Sequence, residues 1–346
     1  MTTQTILFTR CPIPSGVGIA YHLGSFNDNF NSSNHQYRYD LLQNICEQSV
    51  LQNHFIHEID NLIRFGGNIP ALYAKSNGAD TKLIGLAFIE GAQGLLVRPD
   101  SDIQSIQDLK GKKILLQTRP NEDIDFVYVT ARKTYQAALE QAGLTFDDVI
   151  IVEKSKSTKF VQEKVSSISA KAHKQANEID NGKYGDLLNP LLTGEVDVIA
   201  SGTIGAPLHN MQHLFGLRKI FDLKDFEPVN RYNNSTPLTL TVSTALLQNH
   251  KDAVIYFVSK LKQAIQFTSE NYDEAIRFIA ADQGVPEQIA HSAFTLPNIS
   301  ASLSLSLEPY KIKALEKQKE YLLSLGVIPE DFSITEWIDD SILQSL

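Results

Sequence analysis

Along this chain, short runs of apolar residues alternate with longer stretches in which apolar residues recur at the spacing of a helix. The runs are rich in aliphatic and β-branched residues and have the length of buried strands. Strands are predicted at Thr5–Phe8, Lys82–Phe88, Gly94–Val97, Ile114–Gln117, Val149–Val152, Val196–Ala200 and Leu238–Val242. Thr130–Ala142 and most of Ala245–Leu325 are predicted to be helical, with breaks near Gly284 and Pro297. Alternation of this kind is typical of an α/β protein.

Two further helices are predicted around a pair of consecutive glycines. Phe55, Ile59 and Leu62 are spaced by four and three residues, which predicts an amphipathic helix over His54–Ile63. The turn sequence FGGNIP follows, and another helix start is predicted within Ala71–Ser76.

The length of 346 residues and the order of the elements predict two lobes. One strand–helix unit is inserted between two parts of another α/β domain, which is how a two-lobed binding protein is built. We expect residues 1–97 and 236–346 to form lobe 1 and residues 98–235 to form lobe 2, with the ligand cleft between the lobes.

Composition and charge further limit the classes of function that this chain is expected to have. The net charge is −9, so binding to nucleic acid or to an anionic membrane surface is not expected, although a local arginine can still hold a small anion. The apolar runs are far shorter than the ~18 residues that span a bilayer. The first residues, MTTQTILFTRCPIP, lack the features of a signal peptide. We therefore expect a complete cytoplasmic protein, monomeric, with reduced cysteines.

The usual cofactor and catalytic motifs do not occur in this sequence. GxGxxG, GxxxxGK[ST], GxSxG and HExxH are all absent. His54 and His57 are three residues apart but have no obvious third metal ligand. Neither a metal nor an organic cofactor is expected.

Cys11 is the first candidate for chemistry. It follows a predicted strand and precedes two prolines and a helix predicted from about Ser15, and a nearby helix N-terminus would favour its thiolate. The alternative is a small buried apolar residue, which is common for free cysteine. For Cys46 that structural interpretation is favoured.

The segment RFGGNIP, which begins at Arg64, is the second candidate. Its glycines and proline permit a turn that exposes backbone N–H groups at a helix start, and the arginine adds a charged clamp for an oxyanion. The alternative is that Gly66 and Gly67 only end a strand and that Arg64 is a surface charge. His54, ten residues earlier, is a candidate base for Cys11 or simply a core residue.

Four segments in this order resemble the 2′-hydroxybiphenyl-2-sulfinate desulfinase family, within the larger group of sulfonate, taurine and nitrate substrate-binding proteins of ABC transporters. They are TRCPIPSG, HFIHEIDNLIRFGGNIPAL, GAQGLLVRPDSDIQSIQDLKGKKI and GEVDVIASG. The third segment indicates only the two-lobed type II periplasmic-binding-protein fold. The specific feature is CPxP near the N-terminus together with a histidine and, ten residues later, RFGG.

The resemblance implies a role for each matching residue. Cys11 would be the catalytic thiol and His54 its partner, while Arg64 and the backbone N–H of Gly67 would hold the sulfinate oxygens. The remaining substrate-binding candidates are Gly66, Thr9 and Ser201. The substrate would be a small organic anion.

The implied reaction is hydrolytic cleavage of the C–S bond of an aryl sulfinate, with release of sulfite. Either the thiolate attacks sulfur to give a covalent intermediate, or the S–H group delivers a proton to the ring carbon. A non-catalytic solute-binding protein for a small organic anion is the first alternative. A thiamine-pyrimidine-synthase-like enzyme is the second, although the cysteine-rich motif associated with that activity is missing.

Three features depart from the family pattern. Arg10 introduces a charge beside the cysteine where the family has asparagine. The single tryptophan, Trp337, is close to the C-terminus rather than in the middle lobe, where Phe126 or Tyr128 would have to form the aromatic wall. Asn27–Asp40 is predicted to be an expanded loop.

Overall fold

The structure is a computed structural model that describes residues 3–32, 35–45, 47–156, 185–201 and 206–346. The chain divides into two compact units, one formed by residues 1–91 and 226–346 and the other by residues 92–225. The predicted α/β class is confirmed, because each unit is built around its own β-sheet.

The strands follow the predicted alternation with the helices. They are β1 Thr3–Thr9, β2 Phe30–Asn31, β3 Gln36–Leu41, β4 Leu62–Gly66, β5 Thr81–Ala87, β6 Gly94–Val97, β7 Lys113–Thr118, β8 Ile150–Ser155, β9 Val198–Ala200, β10 Arg218–Asp222 and β11 Leu238–Ser243.

The helices of the described residues vary from single turns to five turns. They are α1 Gly16–His22, α2 Gln48–Leu51, α3 Asn53–Ile56, α4 Asn68–Ser76, α5 Phe126–Gln141, α6 Gly185–Leu192, α7 Ala206–Phe215, α8 Thr244–Asn249, α9 Lys251–Glu270, α10 Tyr272–Gln283, α11 Glu287–Ala293, α12 Leu296–Leu303, α13 Pro309–Ser324, α14 Ile334–Trp337 and α15 Ser341–Gln344. In the described part of the chain, no helix is long and apolar enough to cross a membrane.

The first unit contains a six-stranded sheet in the order β2-β3-β1-β4-β11-β5. β4 lies inside this sheet, parallel to β1 on one side and antiparallel to β11 on the other. Every residue of β4 is buried, as expected of a strand covered on both faces. The sheet therefore brings the end of β1 next to β4, with Thr9 paired to Arg64.

The predicted helix over His54–Ile63 is wrong beyond its first turn. α3 ends at Ile56, and His57 adopts a left-handed backbone conformation with φ 52°. The chain then enters β4 at Leu62. The helix-like spacing therefore comes from three different elements in succession: Phe55 lies in α3, Ile59 in the loop and Leu62 in β4.

The predicted loop over Asn27–Asp40 is also corrected. Its second half forms most of β3, which runs parallel to β1, and the short β2 pairs antiparallel with β3. Tyr37, Tyr39 and Leu41 are buried, whereas Arg38 between them is exposed. This alternation is that of a strand covered on one face, and the Asn/Ser-rich residues before it concealed it.

The second unit contains a five-stranded sheet in the order β10-β6-β9-β7-β8. Residues 92–97 belong to this unit rather than to lobe 1, because β6 pairs with β9 and β10. Residues 226–235 belong to the first unit, where Asn68 bonds the Asn233 carbonyl. The unit has a core of its own, formed by Ala92, Leu96, Leu115, Leu188, Leu191, Val196, Ile199, Leu208, Met211 and Leu217.

The C-terminal third is helical, as its spacing predicts. The expected break near Gly284 is confirmed, because this glycine ends α10 with a left-handed φ of 61°. The expected break near Pro297 coincides with the start of α12. α9 packs on the first unit's sheet, where the ring of Phe257 contacts Phe8 of β1 with centroids 5.5 Å apart.

Candidate functional site

Cys11 lies in the connection between β1 and α1 and is partly exposed, with a free thiol. α1 begins five residues later, at Gly16, and its N-cap Ser15 accepts a hydrogen bond from the Gly18 N–H at 3.0 Å. The predicted helix start is confirmed, but Cys11 is not in the first turn, where the terminal N–H groups of a helix act.

The imidazole of His54 lies beside the thiol. Nε2 of His54 is 3.8 Å from the Cys11 sulfur, long for a hydrogen bond but short enough for a small approach to complete proton transfer. His54 is in α3 and only 7% exposed. The structure therefore brings together two residues that are 43 positions apart in the sequence.

Asn53 fixes the backbone on which His54 stands. Its side-chain oxygen accepts hydrogen bonds from the N–H groups of Glu58 at 2.9 Å and Ile59 at 3.2 Å. These bonds satisfy donors beyond the end of α3, where helical partners are no longer available. The turn that follows the short helix is thereby fixed to Asn53, the residue next to His54.

Arg64 is fully buried in β4, so the interpretation as a surface charge is wrong. Its Nε donates to the His54 carbonyl at 2.6 Å, its Nη2 to the Gly67 carbonyl at 2.9 Å, and its Nη1 to Thr239 Oγ1 at 3.3 Å. Three of the five guanidinium N–H groups are thus used. Among the described residues, no carboxylate forms an ion pair with the Arg64 guanidinium.

Burial lowers the pKa of the Arg64 guanidinium to about 10, and the charge of the nearby Cys11 thiolate opposes part of that decrease. The guanidinium therefore stays protonated at neutral pH. A buried cation with only neutral hydrogen-bond acceptors is costly, and an anion that enters the site relieves that cost.

Gly66 provides the close approach that lets the three groups meet. A β-carbon at this position would lie 2.8 Å from the Cys11 sulfur, 3.2 Å from His54 Cε1 and 3.4 Å from Arg64 Nη2. The backbone of β4 is thus the surface on which the thiol, the imidazole and the guanidinium converge.

The start of α4 differs from the predicted open anion cradle. Gly67 is the N-cap, yet the N–H groups of the next two residues are already bonded. Asn68 donates to the Asn234 carbonyl at 2.7 Å and Ile69 to the Asn234 side-chain oxygen at 3.1 Å. Asn234 therefore accepts the hydrogen bonds of both N–H groups that follow Gly67 in the first turn of α4.

Thr9 and Ser201 are each hydrogen-bonded to a neighbouring strand of their own unit. The Thr9 hydroxyl donates to the Phe65 carbonyl and accepts from the Phe65 N–H, both at 3.2 Å, so it joins β1 to β4. The hydroxyl proton of Thr9 is thus already used inside the sheet, and its substrate-binding role stays a prediction. Ser201 follows β9 in the second unit, is fully buried, and donates its N–H to the Gly94 carbonyl at 2.8 Å.

Two residues that support the site are not predicted from the sequence. Thr239, the partner of Arg64, is one of the threonines in the alternating run of β11, which was the available signal. Asn234, which binds the start of α4, carries no local signal because its partners are more than 160 positions away.

Cys46 and its predicted structural role lie outside the described residues. Among those that are described, no group of three or more potential ligands could hold a metal ion.

Comparison with known proteins gives relatives along nearly the whole chain. The chain is 24% identical to 2′-hydroxybiphenyl-2-sulfinate desulfinase of Rhodococcus erythropolis over 358 residues, which covers 96% of this chain and 91% of the relative. The relative from Rhodococcus qingshengii matches with the same identity and coverage.

Solved structures show the same fold. A cysteine-to-serine variant of the desulfurization enzyme DSZB, in complex with biphenyl-2-sulfinic acid, superposes with a TM-score of 0.75 at 20% identity, covering 100% of this chain and 99% of that one. The periplasmic aliphatic sulphonate binding protein SsuA of Escherichia coli superposes with a TM-score of 0.64 at 16% identity, covering 97% and 92%.

The two α/β units and these structural matches identify a protein with the periplasmic-binding-protein-like fold, as predicted. The sequence pattern of the family described as "NMT1/THI5 like" matches residues 67–183 and 171–275, which is more than half of the chain. The chain belongs to the NMT1/THI5-like family.

Proposed function

We propose that this protein is a cysteine-dependent sulfinate desulfinase that cleaves the C–S bond of an aryl sulfinate and releases sulfite. The observation that carries the proposal is the convergence of the Cys11 thiol, the His54 imidazole and the Arg64 guanidinium on Gly66. The desulfinases of Rhodococcus, similar over 96% of the chain, support the substrate class.

Each of the three groups has a task in this reaction. The guanidinium of Arg64 attracts the sulfinate oxygens, since it has N–H groups to spare and no carboxylate partner among the described residues. Cys11 supplies the thiol, and His54, at 3.8 Å, moves a proton to or from it. The low exposure of His54 and Arg64 strengthens these electrostatic interactions.

Two routes give the same balanced reaction, in which an aryl sulfinate and water yield the arene and hydrogen sulfite. In the first, the Cys11 thiolate bonds to sulfur, the C–S bond breaks and the ring carbon takes a proton from His54. Water then releases sulfite from the cysteine. In the second, the Cys11 thiol protonates the ring carbon and SO₂ leaves to be hydrated. His54 then returns a proton to Cys11.

The experiment measures sulfite release from biphenyl-2-sulfinate and from an alkyl sulfinate. Wild-type protein is expected to release sulfite, and Cys11→Ser to lose at least a thousandfold in rate because serine is a far weaker nucleophile and acid at neutral pH. Cys46→Ser is the matched control, with the same substitution at the other cysteine, and it is expected to keep full activity.

A solute-binding protein is the second candidate, favoured by the superposition on the sulphonate-binding protein SsuA. It predicts tight binding of a sulfonate or sulfinate that is equal in wild type and Cys11→Ser, with no sulfite from either. That result would replace the desulfinase proposal.

A further inference from the structure

Asp282, at the C-terminal end of α10, is bound to two residues that flank the Cys11 segment. Its Oδ2 accepts from Arg10 Nη1 at 2.5 Å, and its Oδ1 lies 2.7 Å from His22 Nε2. Arg10 directly precedes Cys11, and His22 is the last residue of α1. One carboxylate therefore ties together the two ends of the stretch that contains the thiol.

The surroundings hold this carboxylate in place. The side chain of Asp282 is only 6% exposed, and the ring of His22 stacks on Phe278 with centroids 4.9 Å apart. Gly18 makes room for the carboxylate, since a β-carbon there would lie 3.0 Å from Oδ2. Burial raises the pKa of Asp282, but the hydrogen bonds from His22 and Arg10 outweigh it and hold that pKa below its usual value. Asp282 is therefore ionised at neutral pH.

Arg10 is held at three points. Its side chain bonds Asp282, its guanidinium lies 4.5 Å from the centroid of the Tyr21 ring, and its carbonyl accepts from Gln43 Nε2 at 2.6 Å. The residue next to the thiol is thus fixed by contacts with α1, α10 and the turn after β3. A released Arg10 would free this segment and leave an unpaired positive charge on the residue next to Cys11.

We propose that Asp282 is a positioning residue for Cys11: it fixes the segment that carries the thiol and neutralises the charge of Arg10, the residue that precedes Cys11. The proposal rests on the proposed function for its effect on turnover, whereas its effect on the thiol is independent of any substrate. Arg10, directly before the cysteine, thereby forms an ion pair with a residue 272 positions away.

The test compares wild type with Asp282→Asn and Arg10→Gln in two measurements. The first is the rate of iodoacetamide alkylation of Cys11 against pH, followed by mass spectrometry of the peptide that contains it. The second is the kcat and KM of sulfite release. Asp273→Asn is the matched control, the same substitution on the same helix at a side chain that is 81% exposed.

Asp282→Asn is expected to move the alkylation profile to lower pH, because the unpaired guanidinium favours the thiolate. Arg10→Gln is expected to move it to higher pH, because the unpaired carboxylate disfavours the thiolate. Both are expected to lower kcat at least tenfold with KM within about threefold, since Arg64 still holds the anion. The double variant is expected to return the profile to that of wild type.

A role limited to folding lowers thermal stability without opposite shifts of the two profiles. Superimposable profiles for wild type and both single variants, or shifts in the same direction, overturn the proposal. If the opposite shifts are seen and no sulfite is released from any sulfinate, the positioning role stands and the desulfinase proposal fails.

Discussion

At Gly66 the main chain passes so close to the reactive groups that a side chain does not fit. The Cys11 sulfur is the nearest atom to a β-carbon built there, at 2.8 Å, a separation that real β-carbons essentially never show. The φ angle is not the reason for glycine here, because Gly66 is not among the residues with positive φ. The requirement is one of space.

Gly66→Ala is therefore expected to displace the thiol from His54 and to lower kcat for sulfite release by about a hundredfold, the loss that a misplacement near 1 Å typically causes. Steady-state kinetics and circular dichroism of the same preparation check this. Gly85→Ala is the matched control, in the same sheet and with ordinary contacts of 3.5 Å or more, and it is expected to stay within about threefold of wild type. Equal losses in both variants contradict a specific role for Gly66.

At the residue scale, the local sequence was informative about which side chains are reactive and uninformative about what supports them. The spacing of Cys11, His54 and RFGG, with the family resemblance, was sufficient to select the groups that converge. Their partners, Asn234 and Asp282, come from segments far along the chain that only the folded sheet and helices bring near. No periodicity or motif encodes such pairs.

The turn between α3 and β4 determines where His54 and Arg64 stand relative to each other. His57 forms this turn in a left-handed conformation and is 3% exposed, with Nδ1 3.4 Å from Thr241 Oγ1. Burial, with the Arg64 charge in addition, lowers the pKa of His57 to about 3. The folded protein thus holds this imidazole neutral at a pH at which the unfolded chain would protonate it.

This difference predicts acid sensitivity. The unfolded state binds a proton near pH 6.5 and the folded state does not until about pH 3, so stability from His57 is complete above pH 6.5 and falls by up to about 1.4 kcal/mol per pH unit below it. His57→Asn keeps a residue that tolerates the left-handed conformation and is expected to flatten this dependence. Urea unfolding between pH 7 and pH 5 measures the slope.

His291→Asn, at a side chain that is 38% exposed, is the control and is expected to keep the wild-type slope. An unchanged slope in His57→Asn would show that this imidazole does not carry the acid sensitivity. A loss of stability at pH 7 alone would indicate only lost packing.

Apolar spacing predicted elements well where one element filled the window, as in α5 and in the helices that follow β11. It failed over His54–Ile63 because a helical turn, a loop and a strand that is buried on both faces share that window. It also failed before β3, where the Asn/Ser-rich residues gave a loop signal and the alternating strand was short.

For the whole molecule, whose net charge is −9, the proposed function requires a local cation for the anionic ligand, and the proposal assigns that role to the buried Arg64. Ligand binding to the folded state alone stabilises it, by about 2.7 kcal/mol when the ligand is at a hundred times its Kd. Cys11→Ser, which does not turn the ligand over, is expected to gain roughly 2–4 °C in Tm with saturating biphenyl-2-sulfinate. The gain is expected to persist to pH 9, since the pKa of Arg64 is about 10.

Thermal unfolding of three proteins tests this expectation. Adding Arg64→Gln to Cys11→Ser is expected to remove the gain, while adding Arg38→Gln, at an arginine that is 56% exposed on β3, is expected to leave it. A gain that survives Arg64→Gln would place the anion at another cation.

The sheet of the first unit has an order that matters during synthesis. β11 lies between β4 and β5, although residues 92–225 separate it from both along the chain. On the ribosome, β4 and β5 emerge early and have to remain without their common neighbour while the whole second unit is made. Thr239 and Asn234, which complete the surroundings of Arg64 and Gly67, are made only after the second unit. The candidate site is therefore assembled only after the second unit has had time to fold.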